Sequence, residues 1–95
     1  MYYNKKDYIL KGFEKSTRKH KMYNALIQHR KTKRIIKIPF GSTLFSNYQD
    51  LSGLNLYPHL IHGDPERRRR YRARHRVYIK HGYYSPSYFS WSVLW

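Results

Sequence analysis

The sequence contains no cysteine, and only five of its 95 residues are aspartate or glutamate. Without cysteine there is no disulfide bridge, no thiolate nucleophile and no cysteine-based zinc site. Two of the five acids, Asp64 and Glu66, are explained by helix capping, which leaves no evident carboxylate pair for acid/base catalysis. A glycine-rich phosphate loop is also missing. The sequence therefore predicts a protein that is not an enzyme and that uses no cofactor and no small-molecule substrate.

Long apolar runs are absent as well. No stretch approaches the ~18 apolar residues that indicate a transmembrane helix. The opening residues, MYYNKKDYILKG, lack the apolar segment of a signal peptide. These absences predict a soluble protein of the cell interior that makes no membrane contact.

Positive charge, in contrast, is abundant. Twenty lysines and arginines give a formal net charge of +15. A chain this unbalanced repels itself unless an anion accompanies it, so an acidic or polyanionic partner is expected. The length allows one small domain with a modest core.

Residues 1–41 are predicted to be rich in strands. Segments 8–13, 21–29 and 34–41 are rich in tyrosine, isoleucine, leucine and phenylalanine, and polar stretches separate them. This spacing is typical of a three-stranded antiparallel meander, with one face of the sheet in the core and the other in water.

Alternation within these strands predicts which side chains are buried, because successive residues of a strand point to opposite faces. The expected core residues are Tyr23, Ala25, Ile27, Ile36 and Ile38. Lys31 and Lys33 fall between the second and third strands and are expected in an exposed turn.

Residues 42–63 show no clear periodicity and are interpreted as a linker, with a helical turn near residues 47–51. Residues 64–82 are predicted to form a basic helix. Asp64 suits the N-cap, Pro65 the first helical position, and Gly82 the position after the last turn, which gives a helix over roughly residues 65–81. Tyr71 and Tyr78, with Arg74 or His75 between them, mark a narrow face that is expected to lie on the sheet, and Val77 and Ile79 add further apolar cover.

Residues 83–95 form an aromatic tail, in which Ser85 and Pro86 predict the start of a short helix. The complete prediction is a single α+β domain: a three-stranded meander, a linker, a basic helix and a short aromatic C-terminal helix. We expect the tail to act as an apolar anchor, packed against this chain or a partner. Its anchor residues are Tyr88, Phe89, Trp91, Leu94 and Trp95.

The basic helix carries seven arginines in ten positions. Cations near a helix N-terminus oppose the helix dipole, at about 0.3–1 kcal/mol each when exposed. A bound anion reverses this, because free N–H groups and guanidinium forks then point at one negative charge. A solvated basic face and a nuclear localisation signal are the alternatives. The predicted residues for binding a polyanion or partner are Arg67, Arg68, Arg69, Arg70, Arg72, Arg74 and Arg76.

Histidines are the other candidate ligands for a metal ion in this sequence. His59 and His62 are spaced as a pair of ligands can be, and Asp64, His75 and His81 follow in the chain. No cysteine or glutamate completes a recognisable set, so no metal is predicted. We expect these histidines to pack or to contact the same anion as the arginines.

Three segments resemble a small basic family of unknown function from large nucleocytoplasmic DNA viruses, best known from algal viruses. The resemblance covers residues 20–95. Its motifs are Phe40-Gly41, Ser46-Asn47-Tyr48, His62-Gly63-Asp64, Tyr71-Arg72-Ala73-Arg74-His75 and the final Ser90-Trp91-Ser92-Val93-Leu94-Trp95. The likeness implies a viral setting and residence in the virion.

Charge and resemblance together predict a non-enzymatic structural protein, a minor capsid or internal virion component. It would bind acidic virion proteins or the phosphate backbone of nucleic acid through the arginines. The expected location is the virion and, during assembly, the host cytoplasm or nucleus. The alternative is a dedicated nucleic-acid binder, either genome-condensing or of ribosomal type, which the seventeen aromatic residues would suit.

Overall fold

A computed structural model of the chain describes residues 2–95. The strands are β1 (Tyr3–Asn4), β2 (Tyr8–Lys15), β3 (Tyr23–His29), β4 (Ile35–Phe40) and β5 (Tyr83–Tyr84). The helices are α1 (Pro65–His75) and α2 (Pro86–Phe89), and α2 continues into a π-helical turn over Ser90–Leu94. Single 3₁₀ turns occur at Pro58–Leu60 and Arg76–Tyr78.

The main sheet has the order β2-β3-β4, and both strand pairs are antiparallel. This confirms the predicted meander and the α+β class. The central strand pairs on both sides, so that Ile27 lies opposite Leu10 and Ile36. The turn between β3 and β4 exposes Lys31 and Lys33, as predicted.

The predicted core face of the sheet is confirmed. Tyr23, Ala25 and Ile27 are fully buried, and Ile38 is nearly so. Ile36 is only half-buried, although it packs against the core.

The opposite face of the sheet is less exposed to solvent than the alternation predicted. Asn24 is buried there, and its Nδ2 donates a hydrogen bond to Oε2 of Glu14, 2.9 Å away. The same oxygen lies 3.1 Å from Nζ of Lys37. Glu14, Asn24 and Lys37 therefore form a cross-strand polar cluster on this face, in which the Asn24 Nδ2 is satisfied.

The aromatic tail supplies the other half of the core. Phe89 and Leu94 are buried completely, and the Phe89 ring packs on Phe13 and Phe40 with centroids 6.0 and 5.5 Å apart. The helix starts as expected, because the Ser85 hydroxyl accepts a hydrogen bond from the Tyr88 N–H. The tail is an internal element of this domain.

Gly41 permits the close approach of this tail to the end of β4. Its φ of 76° lies in the left-handed region, which favours glycine. A Cβ at this position would lie 2.9 Å from Cδ1 of Leu94 and 3.1 Å from the sulfur of Met22. Any larger residue would strain the turn and would force the Leu94 and Met22 side chains to shift.

The linker departs from the sequence prediction, since no helical turn forms at residues 47–51. Instead the Asp50 carboxylate accepts hydrogen bonds from the N–H and the hydroxyl of Ser52, and such local bonds compete with helix formation. The Tyr23 hydroxyl donates to the same carboxylate at 2.6 Å, which ties the linker to the core. Helical geometry appears later, as the 3₁₀ turn at Pro58–Leu60.

Helix α1 is also shorter than predicted, since it ends at His75 and Gly82 does not cap it. Val77 and Tyr78 are 74% and 57% exposed, so the predicted apolar face at this end does not lie on the sheet. The cause is tertiary: the chain leaves the helix axis and pairs β5 with β1, with Tyr84 opposite Tyr3.

Replacing a central core residue should measure the contribution of this packing. Ile27→Ala removes three buried methyl or methylene carbons and should lower the free energy of unfolding by about 2–5 kcal/mol. Ile35→Ala is the matched control, because Ile35 is 46% exposed and should change stability by about 1 kcal/mol or less. Urea unfolding checks both. Equal losses would contradict the assignment of the core face.

Candidate functional site

The start of helix α1 is fixed by local hydrogen bonds. Oδ1 of Asp64 accepts from the N–H groups of Glu66 and Arg67, at 2.9 and 3.4 Å, and Pro65 occupies the first turn. The Asp64 N–H itself donates to Nδ1 of His62. The predicted N-cap is therefore present. It fixes where α1 begins and so determines which face of the helix each following arginine occupies.

The seven arginines predicted as one site are divided by the helix into three groups, because side chains three and four residues apart share a face. Arg69 and Arg76 are exposed, and Arg69 pairs with Glu66. The second group, Arg68 and Arg72, faces the aromatic tail. The third group lines an open cleft and consists of Arg67, Arg70 and Arg74.

The second group holds the tail in place. Nε of Arg68 and Nε of Arg72 both donate to the main-chain oxygen of Trp95, at 2.6 and 3.2 Å. The Arg68 guanidinium also lies 4.9 Å from the ring centre of Tyr48, and that of Arg72 lies 4.5 Å from the ring of Trp91. These two arginines are committed to the fold, which accounts for part of the charge on the helix.

The cleft lies between α1, the turn after β4 and Trp95, and its volume is about 640 Å³. Lys21 joins the three arginines of the third group in its lining, and the hydroxyls of three serines provide further polar groups. Arg67 donates to one of these, Oγ of Ser46, at 3.2 Å. Within residues 2–95 no acidic side chain lines the cleft. Glu66 approaches it only from outside, through a 3.4 Å contact to Nε of Arg70.

One wall of the cleft is a stack of three rings. Tyr71 lies parallel to Trp95 with centroids 4.2 Å apart, and His75 stacks on Tyr71 at 4.1 Å. Burial raises the pKa of Tyr71. Burial, and then the charge of Arg74, lower the pKa of His75, so its imidazole favours the neutral form.

Phe45 stands in the cleft lining, and it is 70% exposed. Sequence reasoning did not single out Phe45 or Lys21, because both lie far along the chain from the arginines. Only the folded turn after β4 brings these residues to the cleft.

The predicted apolar anchor is placed mostly inside the protein. Phe89, Leu94 and Trp95 are buried in the core of this chain. Tyr88 and Trp91 are half-buried, and cations cover them: Nζ of Lys5 lies 4.0 Å from the Tyr88 ring, and Arg72 covers Trp91. Their contacts serve the fold of this domain.

Other kinds of site find no support in the part of the chain that the structure describes. No three histidine or acidic side chains of residues 2–95 converge as metal ligands. The same residues include no helix with the length and apolarity to cross a membrane.

Comparisons with known proteins give no relative for this chain. No protein-family model, no curated protein and no solved structure matches it.

Comparing substitutions of Arg68 and Arg74 should distinguish an arginine that stabilises the fold from one that only lines the cleft. Arg68→Gln removes a charged donor from the Trp95 oxygen and should lower the free energy of unfolding by about 1–2 kcal/mol. Arg74→Gln is the control with the same change of charge, and it should alter stability by about 0.5 kcal/mol or less. Thermal unfolding of both variants checks this, and equal midpoints would exclude a structural role for Arg68.

Acidification should destabilise the domain through its histidines. Burial, and then the charge of Arg67, lower the pKa of His62, and Nδ1 of this ring must stay unprotonated to accept from the Asp64 N–H. A histidine with a lowered folded-state pKa protonates first in the unfolded chain. Stability is therefore greatest above the unfolded pKa of about 6.5 and falls as the pH decreases below it.

The measurement is the free energy of unfolding between about pH 7.5 and about pH 5.5. His62→Asn keeps a hydrogen-bond acceptor but does not titrate, so its stability should decline less over this range. His59→Asn makes the same substitution at an exposed position and controls for the change of side chain. The assignment fails if His62→Asn shows the full decline.

Proposed function

We propose that this chain is a non-enzymatic binding protein for a polyanion, and that its site is the basic cleft. The observation that carries the proposal is the convergence of Lys21, Arg67, Arg70 and Arg74 on one cleft without an acidic side chain in its lining. Like charges held this close repel one another and raise the free energy of the folded state. A bound polyanion offsets this repulsion, so the free energy of the clustered positive charges is lower in the complex.

Phosphate is the anion that suits these groups best. Arginine presents a planar fork that grips phosphate through two parallel hydrogen bonds, whereas lysine offers a point charge. At 1.5 Å per helical residue, Arg67 and Arg74 are separated by about 10 Å along the axis of α1. Backbone phosphates recur every few ångströms along a nucleic-acid strand, so this face is long enough to contact more than one of them. We therefore propose that the partner is the phosphate backbone of a nucleic acid.

The resemblance to proteins of large DNA viruses suggests the setting. We propose a structural component of the virion, a minor capsid or internal protein that contacts the packaged genome through the cleft. This part of the proposal depends on the resemblance alone. An acidic virion protein is the other partner that the charge admits, and the experiment below discriminates between them.

Neutralising the cleft should remove nucleic-acid binding without unfolding the domain. The variant is Arg67→Gln/Arg70→Gln/Arg74→Gln, which leaves Arg68 and Arg72 on the Trp95 oxygen. Binding to a labelled oligonucleotide is followed by fluorescence anisotropy across a salt series. Loss of one phosphate contact per arginine should weaken binding and reduce the slope of log K against log salt by about 2 on a single strand and about 3 on a duplex.

The control removes the same charge elsewhere, as Lys6→Gln/Lys11→Gln/Lys31→Gln at exposed positions. It should retain most of the affinity and most of the salt slope. If both triple variants lose affinity equally, binding depends on net charge and the cleft is not the site. If the parent binds polyglutamate more tightly than the oligonucleotide, an acidic protein is the better partner.

A further inference from the structure

We propose that the cleft selects single-stranded nucleic acid, by stacking an unpaired base on Phe45 while the arginines hold the adjacent phosphates. This inference rests on the proposed function, since it names the ligand class of the same site. The observation that supports it is that one exposed ring, Phe45, lines the cleft together with the cations.

Phe45 lacks the partners that the other rings of the cleft have. Both faces of Tyr71 are covered, by Trp95 on one side and by His75 on the other. No aromatic ring of residues 2–95 packs against Phe45, and 70% of its surface is exposed. An exposed phenyl group gains no free energy from burial. A ligand that covers Phe45 would remove its apolar surface from water, and this would favour binding.

The backbone around Phe45 is held in place before any ligand arrives. The Ser42 hydroxyl accepts a hydrogen bond from the Leu44 N–H at 3.1 Å, and the Thr43 N–H donates to the His20 carbonyl at 3.2 Å. These bonds tie the turn to the segment before β3. Ordering a loop in advance lowers the entropy lost on binding.

A phosphate-binding group is fixed next to this ring. Nη2 of Arg67 donates to Oγ of Ser46, the residue that follows Phe45. Arg67 is thereby tied to the residue next to Phe45, and both side chains line the cleft together with Arg70 and Arg74. A nucleotide offers the matching pair of groups, a flat base and a phosphate joined through a sugar. Single-strand binding proteins combine aromatic platforms with positive grooves in this way.

The ring distinguishes a single strand from a duplex. Bases of a duplex are stacked and paired, and one reaches a protein pocket only after it is unpaired and flipped out. An unpaired strand presents the faces of its bases directly. A duplex can therefore contact the arginines through its phosphates but cannot use Phe45.

The test compares Phe45→Ala with the parent on four probes: labelled oligo(dT), the same strand annealed to oligo(dA), inorganic polyphosphate and polyglutamate. Affinity for oligo(dT) should fall about tenfold, which corresponds to about 1.4 kcal/mol for one stacked base. Affinity for the duplex and for polyphosphate should stay unchanged. Phe45→Trp, which keeps an aromatic face, should bind oligo(dT) at least as well as the parent.

Leu44→Ala is the matched control, since Leu44 is the neighbouring exposed apolar residue and does not line the cleft. It should bind all four probes like the parent. The inference is overturned if Phe45→Ala keeps full affinity for oligo(dT), if it weakens polyphosphate binding equally, or if the parent prefers the duplex or polyglutamate. The first two results leave the proposed function intact when the triple glutamine variant still loses binding. Failure of that variant to lose binding overturns the proposed function itself.

Discussion

The contact between helix α1 and Trp95 is the interaction on which the remainder of this structure depends. The indole ring lies 4.2 Å from Tyr71 and nearly parallel to it, and the main-chain oxygen of the same residue accepts from Arg68 and Arg72. The tail that ends in Trp95 is in turn buried against the sheet. Because α1 is attached through the tail, a gap remains between the helix and the turn after β4. This gap is the basic cleft.

The same contact explains how the fold tolerates so many cations on one helix. Asp64 and Glu66 place negative charge at the N-terminus, where the helix dipole favours it. Arg68 and Arg72 bond to the Trp95 oxygen and lie over aromatic rings, which offsets the loss of hydration. The arginines in the cleft have weaker partners: Arg67 donates to the Ser46 hydroxyl, and Arg70 contacts the exposed carboxylate of Glu66, which Arg69 shares. The cations that line the cleft therefore repel one another, at some cost in stability.

Aromatic side chains allow so small a domain to have a core. The rings of Phe13, Phe40 and Phe89 contact one another, and Tyr23 packs on Phe40 while its hydroxyl organises the linker. Each ring buries a large area, so a few of them replace many aliphatic residues. Phe45 differs from these rings, because it is exposed in the cleft and takes no part in the core.

Local sequence patterns determined the meander, the face of β3 that is buried and the start of α1, because alternation and N-capping act over a few neighbouring residues. The end of α1 was predicted wrongly: Lys80, His81 and Gly82 are good termination signals, but the pairing of β5 with β1 ends the helix earlier. Tertiary structure alone decided which arginines bond to the Trp95 oxygen and which line the cleft, since that depends on what each helix face packs against. It also placed Phe45 beside them. No pattern in the sequence specifies a contact between segments so far apart along the chain.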